Sequence, residues 1–166
     1  MADIPKDPGE ISASWLSEAL GCPVESVEVL DAHAGTTGRA IIELCAAGNL
    51  PDRLFVKLPP EDEKQRLFVT SSGMGRREAR FYGQLSSEVP VRVPHCYFSD
   101  SNESGDQYIM LLENLSDSGC TFRNSQLQYS LGYIRRALSA FARLHARYWE
   151  SKRFSGDLSW VAPPLQ

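Results

Sequence analysis

Apolar residues first recur at helical spacing near the start of the chain, which predicts an amphipathic helix over residues 11–20. The residues on its apolar face are Ile11, Trp15, Leu16, Ala19 and Leu20. Ser12 is placed to cap the first turn, and Gly21 with Pro23 provides a stop signal. We therefore expect a short helix packed against the segment that follows.

Three short stretches rich in apolar and β-branched residues come next, at 24–32, 40–46 and 54–58. Stretches of this length and composition are typical of strands. Short loops join them, and consecutive strands with short connections pair antiparallel. A three-stranded meander is therefore predicted.

Residues 59–75 are mostly polar, with one apolar patch at 67–69, and we predict no regular element there. Gly73 and Gly75 are interpreted as a flexible joint before a predicted helix at 76–85. Two strands at 93–99 and 107–113 flank a polar turn and predict a hairpin. The predicted fold is α+β, a five-stranded antiparallel sheet with one inserted helix.

After Leu115 the pattern changes from strands to a long helix. Residues 116–125 are polar, and an amphipathic helix of about 25 residues is predicted over 126–150. Its apolar face comprises Leu127, Leu131, Ile134, Leu138, Phe141, His145 and Tyr148. We expect one unit at 1–115 and the start of a helical unit at 116–166. An uncovered apolar stripe on this helix predicts a homodimer through 126–150.

Composition narrows the class of protein. The 166 residues are 42% hydrophobic and 23% charged, as in ordinary globular proteins. A net charge of -4 gives no basic surface for nucleic acid, and no apolar run approaches the length of a membrane span. The first residues lack a signal-peptide pattern, and the four cysteines lack metal-binding spacing. We expect a cytoplasmic protein without nucleic-acid or membrane partners.

Lys57 stands inside an apolar strand, where an ammonium group needs an anionic partner. The alternative is that it faces solvent on an edge strand. Upstream, Gly35, Thr36, Thr37 and Gly38 form a turn whose backbone and hydroxyl groups are suited to contact phosphate oxygens. The alternative for this turn is a plain hairpin loop.

Glu78, on the helix after the lysine strand, is a candidate partner for Lys57. The alternative is a surface glutamate that balances neighbouring arginines. The last apolar strand ends in Glu113, Asn114 and Leu115, whose backbone groups could meet a flat heterocycle. The alternative there is a core strand with a polar end.

The order of these features resembles the amino-terminal lobe of the protein-kinase-like fold, followed by the first long helix of its carboxy-terminal lobe. In detail the chain is similar to the aminoglycoside phosphotransferase and choline-kinase-like group, including its ecdysteroid-kinase-like branch. The segments that carry the resemblance are Trp15-Leu16, Gly35-Thr36-Thr37-Gly38, Leu54-Phe55-Val56-Lys57, Arg77-Glu78-Ala79-Arg80-Phe81-Tyr82, Leu111-Leu112-Glu113-Asn114-Leu115 and Leu144-His145-Ala146-Arg147-Tyr148-Trp149.

The resemblance implies transfer of the γ-phosphoryl group of ATP or GTP, with Mg²⁺, to a hydroxyl of a small molecule. It implies that Lys57 contacts the α- and β-phosphates and that Glu78 orients Lys57. The turn formed by Gly35, Thr36, Thr37 and Gly38 would cover the phosphates. The backbone of Glu113, Asn114 and Leu115 would meet the base.

The family's catalytic loop is missing from the sequence. The resemblance implies a catalytic aspartate in a His-x-Asp sequence, with an asparagine about five residues later. None of His33, His95 and His145 is followed two residues later by aspartate, and no asparagine follows Asp157. We therefore expect no catalytic residue and no metal ligand here, as in the amino-terminal portion of such an enzyme or in a naturally short protein built from one lobe. Two alternatives stay open: a non-catalytic nucleotide-binding or protein-interaction module, and an unrelated α+β domain.

Overall fold

A computed structural model describes residues 3–33, 35–122 and 129–161. Its centre is a five-stranded antiparallel sheet with the spatial order β1-β2-β3-β5-β4. The strands are β1 (Val24–His33), β2 (Gly38–Ala46), β3 (Arg53–Leu58), β4 (Cys96–Ser101) and β5 (Tyr108–Glu113). The α+β class and the five-stranded antiparallel sheet predicted from the sequence are confirmed.

One face of the sheet is covered by helix α1 (Ala13–Leu20), which follows a 3-10 turn at Pro8–Glu10. Ser12 Oγ accepts a hydrogen bond from the backbone N–H of Trp15 at 3.2 Å, and Gly21 ends the helix in the left-handed conformation. The Trp15 ring meets Phe98 edge-on, with centroids 5.5 Å apart. The main core lies here, and its buried residues are Ile11, Trp15, Leu16, Val24, Ala40, Ile42, Leu44, Leu54, Val56, Leu58, Ile109 and Leu111.

The opposite face of the sheet packs against helix α3 (Met74–Gln84). Because side chains alternate along a strand, Phe55 and Lys57 point to this face while Leu54 and Val56 enter the main core. The second, smaller cluster consists of Val69, Ala79, Tyr108, Met110 and Leu112. The two clusters make the sheet a buried layer between α1 and α3.

The structure differs from the prediction at residues 59–75, where it has a second inserted helix, α2 (Glu63–Ser72). Asp62 caps it, since its carboxylate accepts the N–H of Gln65 at 2.9 Å. Only Val69 of this helix is buried, so its sequence lacks a clear apolar face. Gly73 adopts φ 65° at the junction of α2 and α3, and Gly75 lies inside α3, so the flexibility of the predicted joint stays a prediction.

Several strand boundaries also differ, and β2 begins at Gly38, inside the predicted turn, rather than at residue 40. β1 extends to His33 and carries irregularities in its pairing with β2 between Val24 and Ser26 and between Val29 and Asp31. β4 begins at Cys96 rather than at residue 93. Prolines at 90 and 94 explain the later start, because proline cannot donate to the strand ladder.

The long amphipathic helix is present as α4 (Leu131–Tyr148), while residues 126–128 of the prediction lie outside the described residues. No residue of α4 is buried. Its end is attached to the α3–β4 loop, where Tyr148 Oη donates to Glu88 at 3.1 Å and Arg153 Nη1 donates to the same carboxylate at 2.5 Å. Over the described ranges, no helix is long and apolar enough to cross a membrane.

Candidate functional site

Lys57 and Glu78 form a close ion pair between β3 and α3. The lysine Nζ donates to both carboxylate oxygens, at 2.5 and 2.6 Å. The Lys57 side chain is only 17% exposed and that of Glu78 is 34% exposed. The pairing anticipated from the sequence is thus present, and the solvent-facing alternative for Lys57 is not.

The position of α3 explains this contact. Gly75 and Ala79 are its buried residues and lie on the face toward the sheet. Glu78 falls between them in sequence and reaches Lys57 at the edge of that face. Burial, with a smaller effect of the Glu78 charge, raises the pKa of Tyr82 and of Tyr108 to about 12. Both phenols therefore stay neutral beside the carboxylate at neutral pH.

The glycine turn lies next to the lysine because of the strand register. Gly38 pairs with Leu58 and Arg39 pairs with Lys57 across β2 and β3. A Cβ atom at position 38 would come within 2.7 Å of the Pro59 carbonyl oxygen, so this close approach requires glycine. The turn therefore begins one residue pair beyond the ammonium group.

The residues of the glycine turn differ in their exposure to solvent. Gly35 is partly exposed and Thr36 is exposed, so their backbone groups are accessible. Thr37 is 7% exposed, and its Oγ1 is buried without a hydrogen-bond partner among the described residues. Ala34 lies outside the described residues. The turn thus has exposed residues at Gly35 and Thr36 and a buried, unpartnered hydroxyl at Thr37.

Arg39 belongs to this site and was missed at the level of the sequence. It lies directly opposite Lys57, and residues paired in this way project from the same face of a sheet. The Arg39 guanidinium lies about 4.0 Å from where a Cβ of residue 35 would be. Within the described residues, Arg39 makes no ion pair. A second cation thus stands beside the turn, and only the strand register could have revealed it.

Glu113 lies at the other end of the sheet and is held by several donors. Arg92 Nη2 contacts both carboxylate oxygens at 2.6 Å, and the backbone N–H of His95 donates at 3.0 Å. Ser118 Oγ donates at 2.5 Å. These hydrogen bonds, that of Arg92 first, lower the pKa of Glu113 to about 2. Its side chain therefore organises the loop and carries a fixed negative charge.

A cavity of about 860 Å³ opens beside Glu113 and Asn114. Its lining includes Arg53, Tyr82, Arg92, His95, Glu113 and Asn114. The carbonyls of Asn114 and Leu115 already accept the N–H groups of Asp117 and Cys120, at 3.1 and 3.2 Å. Each carbonyl oxygen has a second lone pair for another donor. The segment could thus still contact a heterocycle through its backbone.

The sequence-predicted site residues therefore form two groups along β3. Lys57, Glu78 and the glycine turn lie near its end, while Glu113 pairs with Leu54 near its start. Lys57 follows Leu54 by three positions, or about 10 Å at the usual strand rise. An elongated ligand lying along β3 could contact both groups.

Clusters of side chains suited to a metal ion are absent from the described part of the chain. No group of three His, Cys, Asp or Glu side chains in that part could bind a metal ion. Asp157, the sequence's nearest match to a catalytic aspartate, is bound by Arg153 Nη2 at 2.7 Å. The Arg153 hydrogen bond also lowers the pKa of Asp157.

Together, the fold and the site define an α+β protein with an ion-paired lysine beside a glycine turn. The sequence model of the ecdysteroid kinase-like family matches residues 31–149. Because this is well over half of the chain, the protein belongs to that kinase-like family, and the resemblance noted in the sequence is confirmed. No curated protein and no solved structure matches the chain.

Proposed function

We propose that this chain binds ATP or GTP and forms the nucleotide-binding part of a small-molecule phosphotransferase. Residues 1–115 would be the amino-terminal lobe, and residues 116–166 would be the hinge and the start of a helical lobe. The observation that carries the proposal is the Lys57–Glu78 pair beneath the glycine turn. Membership in a kinase-like family supports it independently.

The ion pair leaves Lys57 with capacity for a ligand. An ammonium group has three donors, and two of them are used by the Glu78 oxygens. The third would donate to an oxygen of the α- or β-phosphate. Glu78 orients the ammonium for this contact, and a nearby carboxylate also favours the charged form of a lysine.

The glycine turn and Arg39 would complete the phosphate site. Gly35 is partly exposed and Thr36 is exposed, and their backbone N–H groups would cradle phosphate oxygens. Arg39 adds a second positive charge on the same face as Lys57. The buried Thr37 hydroxyl would reach a phosphate only if the turn rearranged.

The base would lie at the other end of β3, against the backbone of Glu113, Asn114 and Leu115. The cavity beside this segment has a mixed polar and apolar lining and is open to solvent, and the Arg92–Glu113 pair lies at it. Since Glu113 is held by three donors, its side chain would set the segment's conformation rather than contact the base.

Phosphoryl transfer to a hydroxyl depends on positioning and on neutralising the phosphate charge. In this reaction a bound Mg²⁺ would neutralise part of that charge, and we assign it no ligand in this chain. We likewise assign no catalytic base. Lys57 and Arg39 would supply charge, and Glu78 would supply orientation.

A cytoplasmic location would provide the nucleotide and suits the four unpaired cysteines.

A second candidate function is nucleotide binding without catalysis. It is favoured by the lack of a His-x-Asp sequence anywhere in the 166 residues. The two candidates share the same nucleotide site. Because no catalytic base or metal ligand is assigned in this chain, we expect the pure chain to release no ADP with a hydroxylated acceptor and Mg²⁺, and metal-dependent release would contradict that assignment.

The nucleotide site is tested by calorimetric titration of the chain with ATP. Lys57→Ala should weaken binding by about tenfold or more, as expected for loss of a hydrogen bond to a charged group. Lys64→Ala is the matched control, because Lys64 is an exposed lysine of α2. Equal affinities of Lys57→Ala and the unaltered chain would contradict the proposal.

A further inference from the structure

We propose that the contact between Gly75 and the Tyr108 ring sets the distance of α3 from the sheet and thereby holds Glu78 on Lys57. Gly75 and Tyr108 would then be positioning residues for the nucleotide site. The inference rests on the proposed function, and it assigns a role to two residues that do not themselves touch the ligand.

The contact leaves no room for a side chain at position 75. A Cβ atom there would lie 2.0 Å from Cε1 of Tyr108 and 2.5 Å from its Cδ1 and Cζ. The ring cannot swing into solvent, because Tyr108 is only 1% exposed and packs with Val69 and Ala79. Any larger residue must displace either the ring or the helix.

Displacement of the helix would act directly on the ion pair. Gly75 and Glu78 are one helical turn apart, so they move together as neighbours on one side of α3. Tyr108 lies two residues before Met110, which is the partner of Lys57 across β3 and β5. The ring and the ammonium group are therefore set on adjacent positions of the same sheet face.

The ion pair depends on where α3 lies. Lys57 Nζ contacts both Glu78 oxygens, at 2.5 and 2.6 Å. A helix raised by the size of a methyl group would lengthen these contacts and weaken the hold of Glu78 on the ammonium group. Tyr108 Oη has no hydrogen-bond partner among the described residues, so the ring acts by its shape rather than through its hydroxyl.

The test compares ATP affinity, measured by calorimetry, across a set of variants. Gly75→Ala should weaken binding by about fivefold, in the range of coupling between contacting residues. Gly132→Ala, in α4, is the control because Gly132 is exposed and its Cβ would meet Arg136 at an ordinary 3.6 Å. Tyr108→Phe should match the unaltered chain, since only an unpartnered hydroxyl is removed.

Two double variants distinguish a positioning role of Gly75 from a general loss of structure, because they test whether ATP affinity is restored and whether losses of affinity add. Adding Tyr108→Val to Gly75→Ala removes the three clashing ring atoms and should restore most of the lost affinity. In a Lys57→Ala background, Gly75→Ala should weaken binding no further, because the pair it positions is gone. The unfolding transition of each variant is measured in parallel to verify that it is folded.

The outcomes distinguish this inference from the proposed function. If Lys57→Ala leaves ATP affinity unchanged, the nucleotide site itself is wrong. If Lys57→Ala weakens binding while Gly75→Ala does not, only the positioning role is overturned. Additive losses in the Lys57→Ala background, or no rescue by Tyr108→Val in a folded double variant, would also overturn the positioning role.

Discussion

The two amphipathic helices α1 and α4 show how differently two regions of this molecule are stabilised. The eight residues of α1 bury Trp15 and Leu16 against the sheet, and Trp15 Nε1 also donates to the Asp3 carbonyl at 3.0 Å. The eighteen residues of α4 bury none. A regular apolar pattern therefore identifies a helix without showing what covers it.

The exposed side of α4 is large. Its exposed apolar residues include Leu131, Ile134, Leu138 and Phe141, from 43% to 63% exposed. The polar contacts that Tyr148 and Arg153 make with Glu88 hold only its carboxy-terminal end. The sheet thus carries the hydrophobic stabilisation, while α4 is attached mainly at one end.

The largest predicted effect is a loss of stability on substitution in the core between α1 and the sheet. Leu54→Ala should lower the free energy of unfolding by about 2–5 kcal/mol, because it leaves a cavity at a fully buried position. Urea denaturation followed by circular dichroism measures the change. A loss below about 1 kcal/mol would mean that the core between α1 and the sheet is not the main source of stability.

A smaller loss is expected at the glycine turn. Gly38→Ala should destabilise the chain by about 1–3 kcal/mol, because its Cβ would meet the Pro59 carbonyl oxygen at 2.7 Å. Gly35→Ala is the control, since its Cβ would lie 3.5 Å from the nearest atom. Equal unfolding free energies for the two variants would show that the turn is not fixed by this approach.

The next prediction concerns how stability depends on pH at Glu113, which lies at the end of β5 between the sheet and α4. Because the folded state lowers the pKa of Glu113 to about 2, its contribution is present above the ordinary value of 4.5 and is lost as pH falls through about 2. Arg92→Ala should raise this pKa toward 4.5, as followed by NMR titration of the carboxyl carbon.

Ser118→Ala provides the graded control for that titration. It removes one donor but leaves Arg92 in place, so it should raise the pKa of Glu113 by less than Arg92→Ala does. A Glu113 midpoint near 4.5 in the unaltered chain would contradict the hydrogen-bonded loop described above.

The smallest effect is expected on α4. Leu138→Ala should change the unfolding free energy by no more than about 0.5 kcal/mol, because Leu138 is 63% exposed in the single chain.

The homodimer through residues 126–150 remains a prediction, and sedimentation tests it. If copies pair through this face, Leu138→Arg should reduce the association that the unaltered chain shows at high concentration.

Much of the fold could be predicted because it depends on local patterns. α1 has a cap, an apolar face and a glycine stop within eleven residues, and the strands are short apolar stretches between turns. Helix α2 could not be found in this way. Its exposed residues Leu67 and Phe68 are apolar and only Val69 is buried, so the sequence shows no amphipathic period.

The site was predictable where residue type alone was informative. A lysine within an apolar strand requires an anion, and Glu78 was the candidate on the next predicted helix. Arg39 and Gly75 could not be identified, because their roles depend on distant partners. Arg39 acquires its place through the register with Lys57, and Gly75 through a ring 33 positions further along the chain.

The outer edge of the sheet bears on how copies of this protein meet. β1 is one of the two edge strands, and Glu25, Glu28 and Asp31 lie exposed along it. Its pairing with β2 is irregular at two places, between Val24 and Ser26 and between Val29 and Asp31. Charges and bulges on an edge discourage another strand from adding to it. Molecules crowded together are thus steered away from sheet growth at the β1 edge, while the face of α4 stays an accessible apolar surface.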